Sequence, residues 1–485
     1  MAEDTRWGRV ADMTTKQKAL LARANDCCGG SINWYRHPAW TEAMRAALAT
    51  RRALGGKWFS LIDRMYDPRW LGAAWARLNQ SRSGAARQRG AGVDGVTLEQ
   101  FSQRAEEEIG RLVEELRQGS YRPKPVRRHY IPKPGSRKKR PLGLPSVRDK
   151  VVQEALRSLI EPIFESEFLD ASHGFRPGRS TDTACQQLEA ALQSGQVWVV
   201  DADIQGFFDN IKHEKLLDQV NRRVADGKVL GLIRAFLEAG VMEEMKVSYG
   251  TTGTPQGGVI SPLLANIFLH ALDERWQSAG MAWVRYADDF LLLASTREEA
   301  EAAWAMTQQV LEEMGLVLSS EKTRIVHLEA GFDFLGWHYQ GPQRWPRQKS
   351  VKSLRRKLRQ KTRRLRPGPM PAICRELKTT LQGWFHYFRD GNSGSIFSHA
   401  DSWLRRRLRS ILNRRHRRGG LGSLHLNRRW TNSVFRDWGL FDLTESLRSY
   451  RQFWSMIHTL RLQPTPCSGE PCAGKPPARF GGRGG

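Results

Sequence analysis

Six cysteines in 485 residues are too few for a disulfide scaffold. No apolar run approaches the roughly 18–20 residues that a membrane span needs. The opening MAEDTRWGRV has acids early and leads into no apolar stretch, so no secretory signal is expected. Acidic residues are also in deficit: Asp+Glu number 50 against Lys+Arg 77, a net charge of +27. These shortages fit a reducing, cytosol-like compartment and no membrane partner. What is present is 40% hydrophobic and 9% aromatic residues, which argues against wholesale disorder. At about 150 residues per domain the length allows about three folding units. A cation excess of this size repels itself unless a polyanion offsets it.

The charge is concentrated in three acid-free runs. Arg122 to Arg140 holds 9 Lys/Arg, Arg344 to Arg366 holds 12, and Trp403 to Arg418 holds 8. Their total of 29 exceeds the whole net charge, so the rest of the chain is nearly neutral. One basic run alone reads as a solvated face. In the second and third, however, Leu354, Leu358 and Leu365, then Leu404, Leu408, Ile411 and Leu412, form apolar stripes at helical spacing. Such helices would pack on a core and turn their arginines to phosphates. A nucleic acid is the expected partner.

Residues 1 to about 90 read as polar and helical, and Leu98 to Leu116 as one amphipathic helix ending at Gly119. Pro132 and Pro134 keep the first basic run extended, as a hairpin turning at Pro134-Gly135. Arg148 to Phe168 has the apolar period of a helix with one buried face. Val197 to Ile204 is a short strand, and Ser261 to Trp276 a helix with Ser261 as N-cap and Pro262 at its first position. Trp283 to Leu293 reads as a hairpin around Ala-Asp-Asp. Beyond Arg344 the pattern is helical and basic, and Gln463 to Gly485 is a Pro/Gly-rich tail.

Two acidic sites interrupt otherwise apolar strands. In VVDADIQGFF, alternation puts Asp201 and Asp203 on one face and Trp198, Val200, Ala202 and Ile204 on the other. In RYADDFLLL, Asp288 and Asp289 form the tip of the hairpin. Taken alone, an Asp-Asp tip is an exposed turn. Together, a strand-end Asp and a hairpin Asp-Asp can converge three carboxylates on two Mg²⁺ ions, hard cations that prefer oxygen ligands. Paired metals stabilise both the attacking and leaving oxygens of a phosphoryl displacement.

At YADD, Tyr286 to Asp289, the sequence resembles the catalytic box of reverse transcriptases. Around it stand GVDGVT (Gly92 to Thr97), IPKPGSRKKRPLGLPS (Ile131 to Ser146), GFRPGRST (Gly174 to Thr181), VVDADIQGFFDNI (Val199 to Ile211), TPQGGVISPLLANI (Thr254 to Ile267) and FDFLGWHY (Phe332 to Tyr339). This ordered set is similar to the blocks of group II intron-encoded reverse transcriptase/maturases, including related bacterial enzymes without an intron. LQGWFHYFRD (Leu381 to Asp390) resembles the helical thumb, or maturase X domain, that follows them. The resemblance implies an α+β right-hand polymerase, with fingers and an antiparallel palm sheet, followed by an α-helical thumb. The divisions it implies are an RNA-binding helical extension at 1–90, fingers and palm at 91–340, a basic thumb at 341–462 and a flexible tail at 463–485.

By resemblance, Asp203 and the backbone carbonyl of Ile204, with Asp288 and Asp289, are the Mg²⁺ ligands, Asp288 the stronger candidate for bridging. Asp201 is not a ligand in this family and is expected either to support the ligands from behind or to serve the fold. Phe208 occupies the steric-gate position, where a ring excludes a ribose 2′-OH. Lys133 and Arg140 match the cations that grip the incoming triphosphate, and Gln256 the residue packed on the nucleotide sugar. Phe334 to Trp337 correspond to the primer grip. Template and intron-like RNA would meet Arg127, Arg128, Arg176, Arg355, Arg356, Arg363, Arg405 and Arg406, with Arg176 bracing either the fingers or the template.

The implied reaction is attack of a DNA primer 3′-OH on the α-phosphorus of a dNTP, directed by an RNA template. A maturase role in group II intron splicing and mobility would use the same basic surfaces. The alternatives are an RNA-binding splicing cofactor with little polymerase activity, or a domesticated reverse transcriptase in phage defence or repair. The expected location is cytoplasmic, with the nucleoid or a ribonucleoprotein. Cys467 and Cys472 lack a second ligand pair for a structural zinc, so the zinc-supported HNH endonuclease that ends many family members is not expected.

Overall fold

The computed structural model describes residues 48, 55–80, 90–132, 139–243, 246–250, 252–254, 257–319, 323–415 and 428–462, with side chains as far as residue 455. They form two compact units. One runs to residue 335 and includes 339–342; the other holds 336–338 and the chain from 343 onward.

The described residues of the first unit include a 3-10 helix at Ile62–Tyr66, then α1 (Pro68–Gln80) and α2 (Ala105–Gln118). The single helix expected from Leu98 to Leu116 is broken in two. A capping box between Thr97 and Gln100 starts a short piece at Leu98–Ser102, and α2 follows, closed by Gly119 at φ +70°. Strands β1 (Val126–Pro132) and β2 (Lys139–Leu144) pair antiparallel, Arg127 opposite Leu144 and Pro132 opposite Lys139.

Next comes α3 (Val147–Glu165), with Ser146 as N-cap. Its apolar spacing predicts one buried face, but α3 is covered on nearly every side, packed by α1, α2 and a later helix. The polar residues this buries have partners, as they must. Asp149 accepts from the Tyr121 and Ser146 hydroxyls at 2.6 and 2.8 Å, Lys150 donates to the Gly90 carbonyl at 2.8 Å, and Arg157 bridges Glu154 and Glu161.

The chain continues through α4 (Thr181–Gln193), β3 (Trp198–Asp203), α5 (His213–Asn221), α6 (Gly227–Glu238), β4 (Val241–Glu243) and β5 (Lys246–Ser248). It then forms α7 (Ser261–Ser278), β6 (Ala282–Tyr286), β7 (Asp289–Ala294), α8 (Arg297–Met314) and β8 (Arg324–His327). The N-cap of α7 is Ile260 rather than Ser261, which is buried inside the first turn. Two four-stranded sheets result, ordered β2-β1-β4-β5 and β6-β7-β3-β8, the second antiparallel throughout.

One face of that second sheet, with Val200, Ala202, Trp283, Phe290 and Leu292, joins the main hydrophobic core. Trp276 of α7 packs its ring on Trp283 and Phe290, centroids 5.2 and 4.9 Å apart. By alternation, the other face receives Asp201, Asp203 and Asp289.

The second unit is helical after a short β-segment: α9 (Gln348–Lys361), α10 (Met370–Phe388), α11 (Gly394–Arg415) and α12 (Leu443–Leu462). Leu354, Leu358, Leu404, Leu408, Ile411 and Leu412 are buried as the stripes predict. Leu365 is not, at 77% exposed, because α9 stops at Lys361 and leaves it in the following loop. Trp337 is buried with the edge-on ring of Phe388 at 4.9 Å and the Arg344 guanidinium at 4.5 Å. Among the described residues no helix is long and apolar enough to cross a membrane.

Candidate active site

Strand β3 ends at Asp203, and β7 begins at Asp289. The antiparallel register places these two residues directly opposite one another. Opposed residues of such a pair share a face, with Cβ atoms about 4.5–5.5 Å apart, so both carboxylates leave the sheet on one side. Asp288 lies in the tight turn between β6 and β7, half-buried, after Ala287 at φ +60°. That left-handed Ala is strained, since only Gly adopts it without cost.

Neighbouring segments hold the turn. Gly174 packs so closely that any side chain there would collide with the backbone nitrogen of Ala287. Asn266 of α7 donates to the Gly174 carbonyl at 2.8 Å. At the β3 end, Ser319 N–H donates to the Asp203 carbonyl at 2.8 Å, and Ile204 bridges to Leu318. Asp201 accepts from Arg324 Nε and Nη2 at 3.1 and 3.0 Å. Burial raises its pKa, with the Arg324 bonds acting in opposition. Its partner is thus a guanidinium of the same sheet.

Beyond Asp203 the chain turns through Gly206 into a short helix, Phe207–Asn210. Phe208 is half-buried, its ring edge-on to Phe207 at 5.1 Å. The Phe208 carbonyl accepts from Thr254 N–H at 2.7 Å, and that of Ile211 from Gly253 N–H at 2.8 Å. His213, buried at the start of α5, donates from Nε2 to the Gly253 carbonyl at 2.8 Å. A few residues on, Gly257 at φ +115° lies against the Gly143 carbonyl of β2, leaving no room for a Cβ. Val259 N–H donates to the Gln153 side chain at 2.7 Å. Thr254 thus rests on the Phe208 turn and Gly257 on the β1–β2 hairpin. Arg140, exposed and opposite Ile131, stands three residues before Gly143. Lys133 and Gln256 lie outside the described residues.

The expected nucleic-acid residues divide. Arg127, Arg355, Arg356, Arg363 and Arg406 are exposed, and Arg128 is half-buried with Glu243 at 3.7 Å. Arg407 is held below its ordinary pKa by burial and by repulsion from Arg359 and Arg364, a measure of how crowded with cations that helical face is. Arg176 is different. It is 8% exposed, and its guanidinium donates to Glu165 and to the Leu169 and Ser172 carbonyls at 2.6–3.1 Å. A cation taken from water needs such partners, and they leave Arg176 bracing its own loop rather than facing a phosphate. Arg405 likewise turns to Asp442, at 2.9 Å.

Sequence reasoning missed Arg285, whose side chain is fully buried beneath the Asp-Asp turn and ion-paired to Asp273. The signal was available: on β6 it shares a face with Trp283, which packs into the core.

The donor set at the sheet end, carboxylates and backbone carbonyls, suits a hard divalent cation. Among the described residues no three His, Cys, Asp or Glu side chains are gathered closely enough to hold one. Mg²⁺ is ordinarily held by one or two carboxylates with water and substrate phosphates completing its shell, which an opposed Asp pair satisfies.

Residues 131–339 match the family "Reverse transcriptase (RNA-dependent DNA polymerase)", and residues 351–430 match "Group II intron, maturase-specific domain". The chain belongs to the group II intron reverse transcriptase/maturase family. It is 36% identical over 315 residues to protein YkfC of Escherichia coli K12, covering 57% of this chain and 81% of that protein. It is 45% identical over 186 residues to the group II intron-encoded protein LtrA of Lactococcus lactis, covering 38% of this chain but 31% of LtrA. Among solved structures, telomerase from Candida albicans aligns over 65% of this chain and 64% of that one at 13% identity and a TM-score of 0.37. A partial Cas6-RT-Cas1–Cas2 complex aligns over 52% and 41% at 24% identity and 0.34. Those scores are too low to define a shared fold.

Proposed function

We propose that this chain extends a DNA primer on an RNA template with deoxynucleoside triphosphates, and that its arginine-rich helical unit grips the RNA, including a folded intron-like RNA whose splicing it assists. In this reading the first unit is the fingers and palm of a right hand and the second is its thumb. The observation that carries it is the register placing Asp203 opposite Asp289, with Asp288 in the adjoining turn.

Asp203, the Ile204 carbonyl, Asp288 and Asp289 would hold two Mg²⁺ ions. Bound there, the ions would supply charge stabilisation for phosphoryl transfer and a more nucleophilic primer hydroxyl. The chain's own residues position the rest. Phe208, anchored by its carbonyl to Thr254, presents a ring where a ribose 2′-OH would sit. Gly257, pressed on Gly143, lets backbone approach the nucleotide without an intervening side chain. Arg140 and Lys133 would place fixed positive charge on the departing pyrophosphate, lowering the barrier without rearranging. Positioning and electrostatics do the catalytic work in phosphoryl transfer generally.

The maturase-specific match favours RNA binding in its own right, so the test must separate binding from synthesis. Purified protein with a DNA primer on an RNA template, Mg²⁺ and dNTPs should extend the primer. Asp288→Ala should abolish extension while leaving RNA affinity within a factor of two or so. Tight RNA binding by a wild-type protein that extends nothing would replace this reading with that of a splicing cofactor.

A further inference from the structure

Resting on that reading, we infer that Arg285 is a positioning residue that sets the geometry of the Asp288–Asp289 turn through a buried polar clamp. Its guanidinium is wholly enclosed. It donates from Nε to Asp273 Oδ1 at 2.7 Å and from Nη2 to Asp273 Oδ2. Nη2 also donates to Ser172 Oγ at 2.7 Å, and Nη1 to Asn266 Oδ1 at 3.1 Å. The remaining bond is the informative one: Nη1 donates to the Ala287 carbonyl at 3.0 Å. That carbonyl belongs to the strained residue immediately before Asp288.

The clamp joins three separate stretches of the chain. Asp273 and Asn266 lie two turns apart on α7, a rigid helix. Ser172 lies in the loop where Ala171 accepts from the Arg285 N–H at 2.9 Å and His173 donates to the Arg285 carbonyl at 2.8 Å. Asn266 uses its amide nitrogen on the Gly174 carbonyl, and Gly174 abuts Ala287. The turn is thus bounded by Gly174 on one side and pulled by Arg285 from the core. Asp273 alone would neutralise the charge. A pair kept only for stability would not require a bond to the turn, and well-packed apolar residues often do as well in that role. The planar fork of arginine reaches Asp273, Asn266, Ser172 and the turn at once; a lysine ammonium cannot.

Two variants and the wild type test this, each assayed as full chain for melting temperature, RNA affinity, and extension as a function of Mg²⁺ and dNTP. Arg285→Lys should keep RNA affinity, lower the rate about 100-fold, as misplacement of reacting groups by about 1 Å does, and raise the Mg²⁺ needed for half-maximal extension severalfold. Its dNTP KM should change little. In Arg285→Met/Asp273→Leu the pair is replaced by apolar side chains, so the melting temperature should return to the wild-type value while extension stays low. Recovery of extension along with stability would overturn the inference, as would wild-type rate and Mg²⁺ dependence in Arg285→Lys. Failure of both variants to fold would also overturn it, assigning the pair to core stability. A wild-type protein that extends no primer would instead sink the polymerase reading and this inference with it.

Discussion

Two sets of arginines, one from each unit, are partnered in opposite ways. In the first, Arg176 and Arg285 lie outside the acid-free runs, and each is buried with a carboxylate partner, Glu165 or Asp273. In the second, Arg355, Arg356, Arg363 and Arg406 belong to acid-free runs and remain exposed. The difference is one of desolvation. Removing a cation from water costs several kcal/mol unless an anion and hydrogen bonds replace the solvent. A run with no acids supplies no anion of its own, and Arg355, Arg356, Arg363 and Arg406 stay outside and available to phosphates, whereas Arg409 of the third run is buried by donating to the Trp430 carbonyl and to Asn432. Arg405 marks the boundary, since Asp442 is close enough to claim it. Net charge therefore locates a nucleic-acid surface only after the internally partnered arginines have been set aside.

The largest effect should come from the sheet end rather than from any arginine. Asp203→Asn keeps shape and removes charge, and should cut extension on the order of 1,000-fold or more, the equivalent of several kcal/mol of metal-derived stabilisation, with RNA affinity preserved. Next, Arg176→Ala should destabilise the first unit by about 3–5 kcal/mol in urea, because Glu165 is left buried without its partner. Arg356→Ala should move stability by no more than about 0.5 kcal/mol and instead reduce the salt slope of RNA binding by about 1. Equal effects of these two substitutions on stability would erase the contrast between the units.

A specificity test is smaller. Phe208→Ala should raise ribonucleotide incorporation relative to deoxynucleotides on the order of 10- to 100-fold; unchanged sugar selectivity would remove the gate. The last effect concerns His173, buried beside Gly174 and hydrogen-bonded to Thr183 and Gln187. Burial depresses its pKa to about 4. An unfolded histidine takes up a proton near pH 6.5, so the stability that comes from keeping this ring neutral is fully present above that pH. It is lost as pH falls toward about 4. Melting temperatures should decline over that window, and His173→Gln should flatten the decline. An identical slope in the variant would show that other groups govern it.

Much of the site was legible in the sequence because its signals are local. Alternation in VVDADI separated the core face from the carboxylate face, and the apolar arms of RYADDFLLL marked the hairpin. What was hidden depended on contacts between distant segments. Nothing near Arg285 in sequence reveals Asp273 of another element as its partner, and the collision that reserves position 174 for glycine is visible only once Ala287 lies against it. The break in the helix expected from Leu98 to Leu116 escaped for a related reason. Its apolar period runs through the break, so only the Thr97–Gln100 cap and Gly119 betray the ends. Helix α3 showed the reverse error: polar residues that suggested an exposed face are buried because Tyr121, Gly90 and Arg157 satisfy them.

The central claim is that the β3 end and the Asp288–Asp289 turn together hold divalent ions. Replacing Mg²⁺ by Fe²⁺ in the full-length protein and generating hydroxyl radicals with ascorbate and peroxide would cut the backbone beside the bound ion. Cleavage should cluster at 203–204 and 287–289, be suppressed by excess Mg²⁺, and disappear in Asp203→Asn. Cuts that ignore both segments, or that persist in that variant, would contradict the account.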